Sequence, residues 1–143
     1  MNYQYLPEIA TADVAFLAKG KTVDELFAAA SDALMNVMVD DLSTIADREK
    51  VEIQLSHEDL DLLLFSYLSE FVYFKDARLL LLRARDVTVT KEQSNFALHA
   101  TLWGEELQPE KHHPGVDVKA VTLHRFELKE TTAGWEALVV LDI

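Results

Sequence analysis

The amino-acid sequence predicts an α+β protein: a single domain of mostly antiparallel sheet packed with two main helices. Three observations lead to that class. Two long stretches repeat apolar residues at spacings of three and four, the period of a helix, whereas most of the remaining chain alternates in the manner of strands. The helices stand between groups of strands instead of after every strand, which argues against a doubly wound parallel sheet. Short turns join consecutive strands, and strands joined that way run antiparallel. Residues 1–143 read as one domain. A chain of 143 residues with 50% apolar content can bury roughly 70% of the surface its unfolded form exposes, and no Ser/Gly/Pro-rich linker, repeat or low-complexity run divides it.

After an irregular segment over 7–12, Val14, Phe16 and Ala18 alternate with Ala15, Leu17 and Lys19 as a strand. The first helix spans about 22–38. It opens on Thr22 with Glu25 three places on, a capping box in which the two residues satisfy backbone N–H groups left open by the first turn. Its stripe runs through Val23, Leu26, Phe27, Ala30, Leu34, Val37 and Met38. Asp40 and Asp41 follow as a solvated loop pair. Val51, Ile53 and Leu55 then alternate with Glu52 and Gln54 as a further strand. The second helix covers about 57–75, opening at Ser56 with Asp59 three places on, and the acidic pair Glu58 and Asp59 complements the positive end of the helix dipole. Its stripe of Leu60, Leu63, Leu64, Tyr67, Leu68, Phe71 and Phe74 is widened by Leu62, Phe65 and Val72. That width predicts a helix covered on more than one side.

A turn through Glu92, Gln93, Ser94 and Asn95 joins 87–91 to 96–103 as a hairpin. Val116, Val118, Ala120, Thr122, His124, Phe126 and Leu128 are expected on one face of a long strand. A turn over 131–134 leads to a last strand carrying Trp135, Ala137, Val139, Leu141 and Ile143. Gly20, Gly104, Gly115 and Gly134 stand where one pattern gives way to the next, as turn punctuation. No two are close enough to cradle a phosphate, which argues against the common Gly-rich nucleotide sites.

Charge narrows the partners. Thirteen Lys and Arg against 25 Asp and Glu give a net charge of −12. Nucleic-acid affinity comes from Lys and Arg displacing counterions around phosphates, so direct tight nucleic-acid binding is not expected, nor is attachment to an anionic membrane. Cations or a basic protein surface suit the chain better. No secretory signal is visible at Met1-Asn2-Tyr3-Gln4-Tyr5, and no apolar run approaches the ~20 residues of a membrane helix. The absence of cysteine rules out disulfides and thiolate chemistry and suits a cytoplasmic protein.

No serine sits in the Gly-flanked strand–turn–helix setting of a nucleophile elbow. Of the histidines, His57 falls at a helix start and His99 and His124 in strands, while His112 and His113, adjacent in an extended loop, point different ways and suit no shared ion. Each reads as a surface or satisfied strand histidine. Among the carboxylates, Asp13 and Asp142 stand out by position: one opens the first strand, the other lies beside the terminal carboxylate of Ile143. Oxygen-only sets of this kind suit hard cations such as calcium or magnesium. A capped turn or a solvated chain end accounts for the same residues.

Several motifs then recur in a familiar order. They are Glu8-Ile9-Ala10-Thr11-Ala12-Asp13-Val14, a helix core with Leu68-Ser69-Glu70, Asn95-Phe96, Trp103-Gly104-Glu105-Glu106, Lys111-His112, Val118-Lys119-Ala120-Val121-Thr122 and the ending Leu141-Asp142-Ile143. The ordered set resembles the archease family over essentially the whole chain. The resemblance implies an accessory protein, not itself an enzyme, that activates an RtcB-type tRNA-splicing RNA ligase by promoting guanylylation of the ligase and its multiple turnover. It also implies that Asp13, Asp142 and the Ile143 carboxylate hold a divalent cation, calcium in the family, and that Asp13 and Lys119 contribute to ligase activation. Without the resemblance, Lys119 reads as a solvent-facing strand lysine. The chain departs from the family at Ala10, where a histidine is usual, and at Ser69, where Asn or Asp is common. The ion could clasp the two ends of the chain or be delivered to the ligase. A chaperone-like adaptor for nucleic-acid-processing proteins is the alternative function. A metal-dependent hydrolase fits least, since an anionic substrate would need a basic cleft.

Overall fold

The Thr22 signal is used as predicted. A computed structural model describes residues 2–9 and 13–143, and in it helix α1 spans Val23–Met38. Thr22 Oγ1 accepts from the Glu25 N–H at 3.1 Å, and Glu25 reaches back to the Lys21 N–H at 2.8 Å, one residue before the cap. The second helix, α2, is Leu60–Arg78, displaced toward the C-terminus from the expected 57–75. Ser56 and His57 instead complete strand β3, Glu49–His57. The His57 ring takes the capping role, with Nδ1 accepting from the Asp59 N–H at 3.1 Å, and Asp59 makes no side-chain cap. At the other end Leu79 turns left-handed (φ 53°) and closes α2 with an N–H bond to Lys75 at 2.9 Å.

Among the described residues, seven strands form two antiparallel sheets. β1 (Tyr3–Tyr5), β2 (Val14–Gly20), β6 (Ala120–Thr131) and β7 (Gly134–Asp142) make one sheet in the order β1-β2-β7-β6, while β4 (Leu80–Glu92) and β5 (Asn95–Glu106) join β3 in the order β3-β5-β4. β1 and a one-turn helix, α3 (Pro109–His112), were not foreseen from the sequence. Both helices bridge the sheets: α1 packs on β2 and β4, and α2 on β6 and all three strands of the second sheet. Phe27, Tyr67 and Phe71 stack where the helices meet, and the buried Tyr67 hydroxyl donates to Ser31 Oγ at 3.0 Å. The wide apolar face of α2 is thereby explained. Asp41 does more than face solvent, since it accepts from the Ser43 N–H and hydroxyl at 3.0 and 2.6 Å and caps a 3-10 turn over Leu42–Thr44.

The long strand expected from Val116 is corrected twice. It begins only at Ala120, and its inward face changes partway. Pairing with β7 jumps from Thr122 opposite Val140 to Glu127 opposite Leu138, with Arg125 left-handed (φ 56°) in the extra length. Before that bulge Val121 is buried; at its end Phe126 packs edge-on against Phe65 of α2, and His124 within it is left exposed. Inserted residues shift the alternation, which no simple period reveals.

The β4–β5 pair explains the Trp103-Gly104-Glu105-Glu106 motif. A Cβ on Gly104 would stand 1.7 Å from the Leu81 carbonyl oxygen, so only glycine permits this approach. Next to it Glu105 is buried (2% exposed) and accepts from the Ala46 N–H (2.9 Å), Arg48 Nε (3.1 Å), Lys111 Nζ (2.6 Å) and His112 Nε2 (2.9 Å). His112 is buried as well, contrary to the extended loop expected for it. The Gln108 N–H donates to its Nδ1 at 2.9 Å, so the ring proton sits on Nε2 and faces Glu105. Burial alone would raise the Glu105 pKa. The Ala46, Lys111 and His112 hydrogen bonds outweigh it and hold the carboxyl down at about 2.

A depressed carboxyl stabilises the fold fully above its unfolded value, near 4.5, and that contribution fades as pH falls toward about 2. Glu105→Gln should therefore cost about 2–3 kcal/mol at neutral pH. Urea unfolding from pH 7 to pH 2.5 tests this: the gap between wild type and variant should narrow below about pH 4.5, and a constant gap would show that shape, not charge, matters at this position.

Candidate functional site

The register of the four-stranded sheet decides what gathers at its end. Ala15, Phe16 and Ala18 of β2 and Ala137, Val139, Val140 and Leu141 of β7 are buried. A one-residue slip would send each side chain to the opposite face, so this burial pins the pairing. Val14 stands opposite Leu141, and Asp13 and Asp142 follow at the next step outward. On the far side of β7, Ala120 lies opposite Asp142, and the Lys119 N–H donates to the Asp142 carbonyl at 2.8 Å. The chain's first long strand, its last strand and the entry to β6 thus end together.

The backbone register brings all four candidate residues to this end of the sheet. Asp13, Lys119 and Asp142 are exposed, and Ile143 is half-buried against the core. Strand alternation puts Asp142 on the face opposite Leu141. Beside Asp13 an open groove of about 610 Å³ is lined by Tyr5, Pro7, Asp13, Val14, Ala15, Asn36 and Val37. Its walls are mainly apolar, and Asp13 is the charged group among them. Tyr5 is fixed there by its hydroxyl, which donates to the Ala33 carbonyl at 2.7 Å, and burial pushes its pKa well up. A depression of about 520 Å³ on the outer face of the second sheet, lined by Gln54, Ser56, Thr88 and His99 among others, lies apart from the candidate residues.

The ligands that the resemblance implies, two aspartates and the Ile143 carboxylate, offer only oxygen, which would suit a hard divalent cation and not a soft one. Among the described residues no three His, Cys, Asp or Glu side chains gather in metal-holding arrangement. A cation here would depend on the terminal carboxylate as its third anionic group. Ala10, where the archease resemblance departs, lies outside the described residues. Ser69, the other departure, is in α2 and bonds back to the Phe65 carbonyl at 2.8 Å. No helix among the described residues is long and apolar enough to cross a membrane.

Glu105 and His112, motif residues in the sequence, are buried together behind the segment that leads to β6, with the half-buried Lys111 closing over them. Lys75 was not foreseen from the sequence. That lysine continues the α2 stripe one place after Phe74, and a cation at a core-facing position was the available signal.

The chain matches the model of the Archease protein family over residues 3–143. Protein archease of Methanosarcina mazei is 37% identical over 143 residues, covering 99% of this chain and 96% of its own length. Protein archease of Pyrococcus abyssi is 34% identical over 134 residues, covering 93% and 94%. The solution structure of protein 1598 from Methanobacterium thermoautotrophicum is similar with a TM-score of 0.85 at 29% identity, over 99% of each chain. A crystal structure of an archease from Thermotoga maritima, described as a possible chaperone, is similar with a TM-score of 0.64 over 94% of this chain and 93% of its own. At 18% identity that last likeness is one of fold. Motif order, fold and these relatives agree: the chain belongs to the Archease family.

Proposed function

We propose that this protein is the activator of an RtcB-type tRNA-splicing RNA ligase, promoting guanylylation of the ligase and its multiple turnover from a cytoplasmic location. It acts as an accessory factor and performs no ligation itself. Family membership supports the reading, and one observation carries it: Asp13, Lys119 and the Asp142-Ile143 pair, far apart in sequence, finish side by side at one end of the four-stranded sheet. Asp13, Asp142 and the Ile143 carboxylate would hold a divalent cation, calcium in the family. Bound there, it supplies positive charge among three groups that otherwise repel one another. Lys119 presents its ammonium at the same end and is suited to an acidic or phosphate group of the ligase complex.

The four residues separate by role. Asp142→Ala, deletion of Ile143 and Asp13→Asn should each weaken calcium binding at least ~10-fold and lower ligase stimulation together, since each removes one anionic oxygen donor. Lys119→Ala should spare calcium binding and reduce stimulation only, because a cation does not ligate a cation. Calorimetric titration with calcium beside a multiple-turnover ligation assay, with the protein substoichiometric to its cognate ligase, checks all four. Aspartate variants that bind calcium like wild type yet lose stimulation would place these residues in direct contact with the ligase instead. No stimulation by the wild type would remove the reading.

The charge of −12 bears on how activation is delivered. In a gel-shift assay the isolated protein should leave tRNA unshifted at ~0.2 M salt, with the ligase supplying RNA contact. Sub-micromolar binding that persists at that salt would contradict activation through protein contacts alone.

A further inference from the structure

We infer that Lys75 is a positioning residue for Lys119, acting through the single peptide group that joins Val118 to Lys119. Lys75 lies near the C-terminal end of α2 and is buried, with 6% of its surface exposed. Its ammonium has three hydrogens and three acceptors: the carboxylates of Asp76 and Asp117, the latter at 2.6 Å, and the Val118 carbonyl at 2.9 Å. The carbonyl is the informative partner. Its oxygen belongs to the same planar unit as the Lys119 N–H, which donates to the Asp142 carbonyl at 2.8 Å. One peptide plane is thus held at its oxygen by a buried cation and at its N–H by β7. A plane tied at both ends cannot rotate and fixes the Lys119 Cα relative to Asp142; with Ala120 held in register opposite Asp142 on the other side, the Cα–Cβ direction of Lys119 is set as well.

The approach to this plane is tied down too. Pro114 bridges to Val39, the Gly115 N–H donates to the Met38 carbonyl at 2.8 Å, and Val118 is fully buried. Lys75 is the last tie before the exposed Lys119. Asp76 and Asp117 are themselves more than half exposed, and water can serve them if the lysine is lost. The Val118 carbonyl has no such substitute at hand. An ammonium on that oxygen also polarises the peptide and strengthens donation by its N–H. The exposed segment therefore reaches the sheet end in one orientation.

The inference rests on the activator reading only for its functional arm, and two measurements keep the parts distinct. The first, amide hydrogen exchange by NMR on the isolated protein, needs no ligase. Lys75→Met should speed exchange at Lys119 roughly tenfold, while Val139 and Val140 within β7 keep their protection and Lys75→Arg restores much of it. Asp117→Asn, an exposed change that leaves the core intact, should give a smaller effect of the same sign. Unchanged exchange at Lys119 overturns the proposal, as does equal loss throughout β7, which would mean general destabilisation. The second is stimulation of the cognate ligase. Lys75→Met should lower the maximal stimulation more than the concentration giving half of it, and adding Lys119→Ala should cost no more than Lys119→Ala alone. Independent, multiplying losses would overturn the coupling to Lys119. If the wild type stimulates nothing, the activator reading falls and the exchange result alone decides whether Lys75 orients this peptide.

Discussion

Val14 faces Leu141 and Gly20 faces Trp135, and between those limits β2 and β7 zip the chain's first long strand to its last. The ladder carries the large buried cross-strand pair Phe16 with Val139, joined by Ala18 with Ala137 on the same face, and a slip of one residue would turn these away from the core. The remaining architecture hangs from this pairing. β1 and β6 add to its two sides, α1 packs across β2, and α2 reaches β6 while covering the second sheet. The same register brings Asp13 and Asp142 to adjacent positions at the sheet end, a placement neither residue could secure by local preference.

Around that frame, buried charge does the fine positioning. Glu105 gathers Ala46, Arg48, Lys111 and His112, and Lys75 gathers Asp76, Asp117 and the Val118 carbonyl. Both sets act on the connection between β5 and β6, one at its start and one at its end. Removing Glu105 strands the buried His112, and removing Lys75 strands the Val118 carbonyl, so each charge fixes the geometry of a buried group. Arg83 is occupied in the same manner, bonding Asp32 of α1 through two nitrogens at 3.2 and 3.0 Å. A chain with 13 basic residues that engages several of them internally keeps few for phosphate, in keeping with a role exercised through protein contacts.

The sequence disclosed what depends on short-range periodicity. The Thr22–Glu25 start of α1, the β4–β5 hairpin around Gln93 and the final strand through Leu141 stand where spacing placed them. It misled where a side chain or a single backbone angle overrode the period. The His57 ring starts α2 three residues late, and the left-handed Arg125 reverses the inward face of β6. β1 escaped notice because three residues carry too little alternation to read. Of the candidate site, residue identities came from motif order, and their adjacency at the sheet end needed the three-dimensional pairing. Lys75 stands on the α2 stripe four places after Phe71, so the period marks its position as core-facing but does not show which acceptors satisfy its charge.

The sheet end formed by β2, β7 and the entry to β6 is the place proposed to hold a divalent cation. Titration of the isolated protein with manganese, followed by paramagnetic broadening of backbone amide signals, addresses it directly, since broadening falls steeply with distance and calcium competes for the same oxygen donors. Asp13, Val14, Lys119, Leu141, Asp142 and Ile143 should broaden first and recover when calcium is added. Broadening centred on Asp40 and Asp41, or spread evenly over the acidic surface, would contradict that placement.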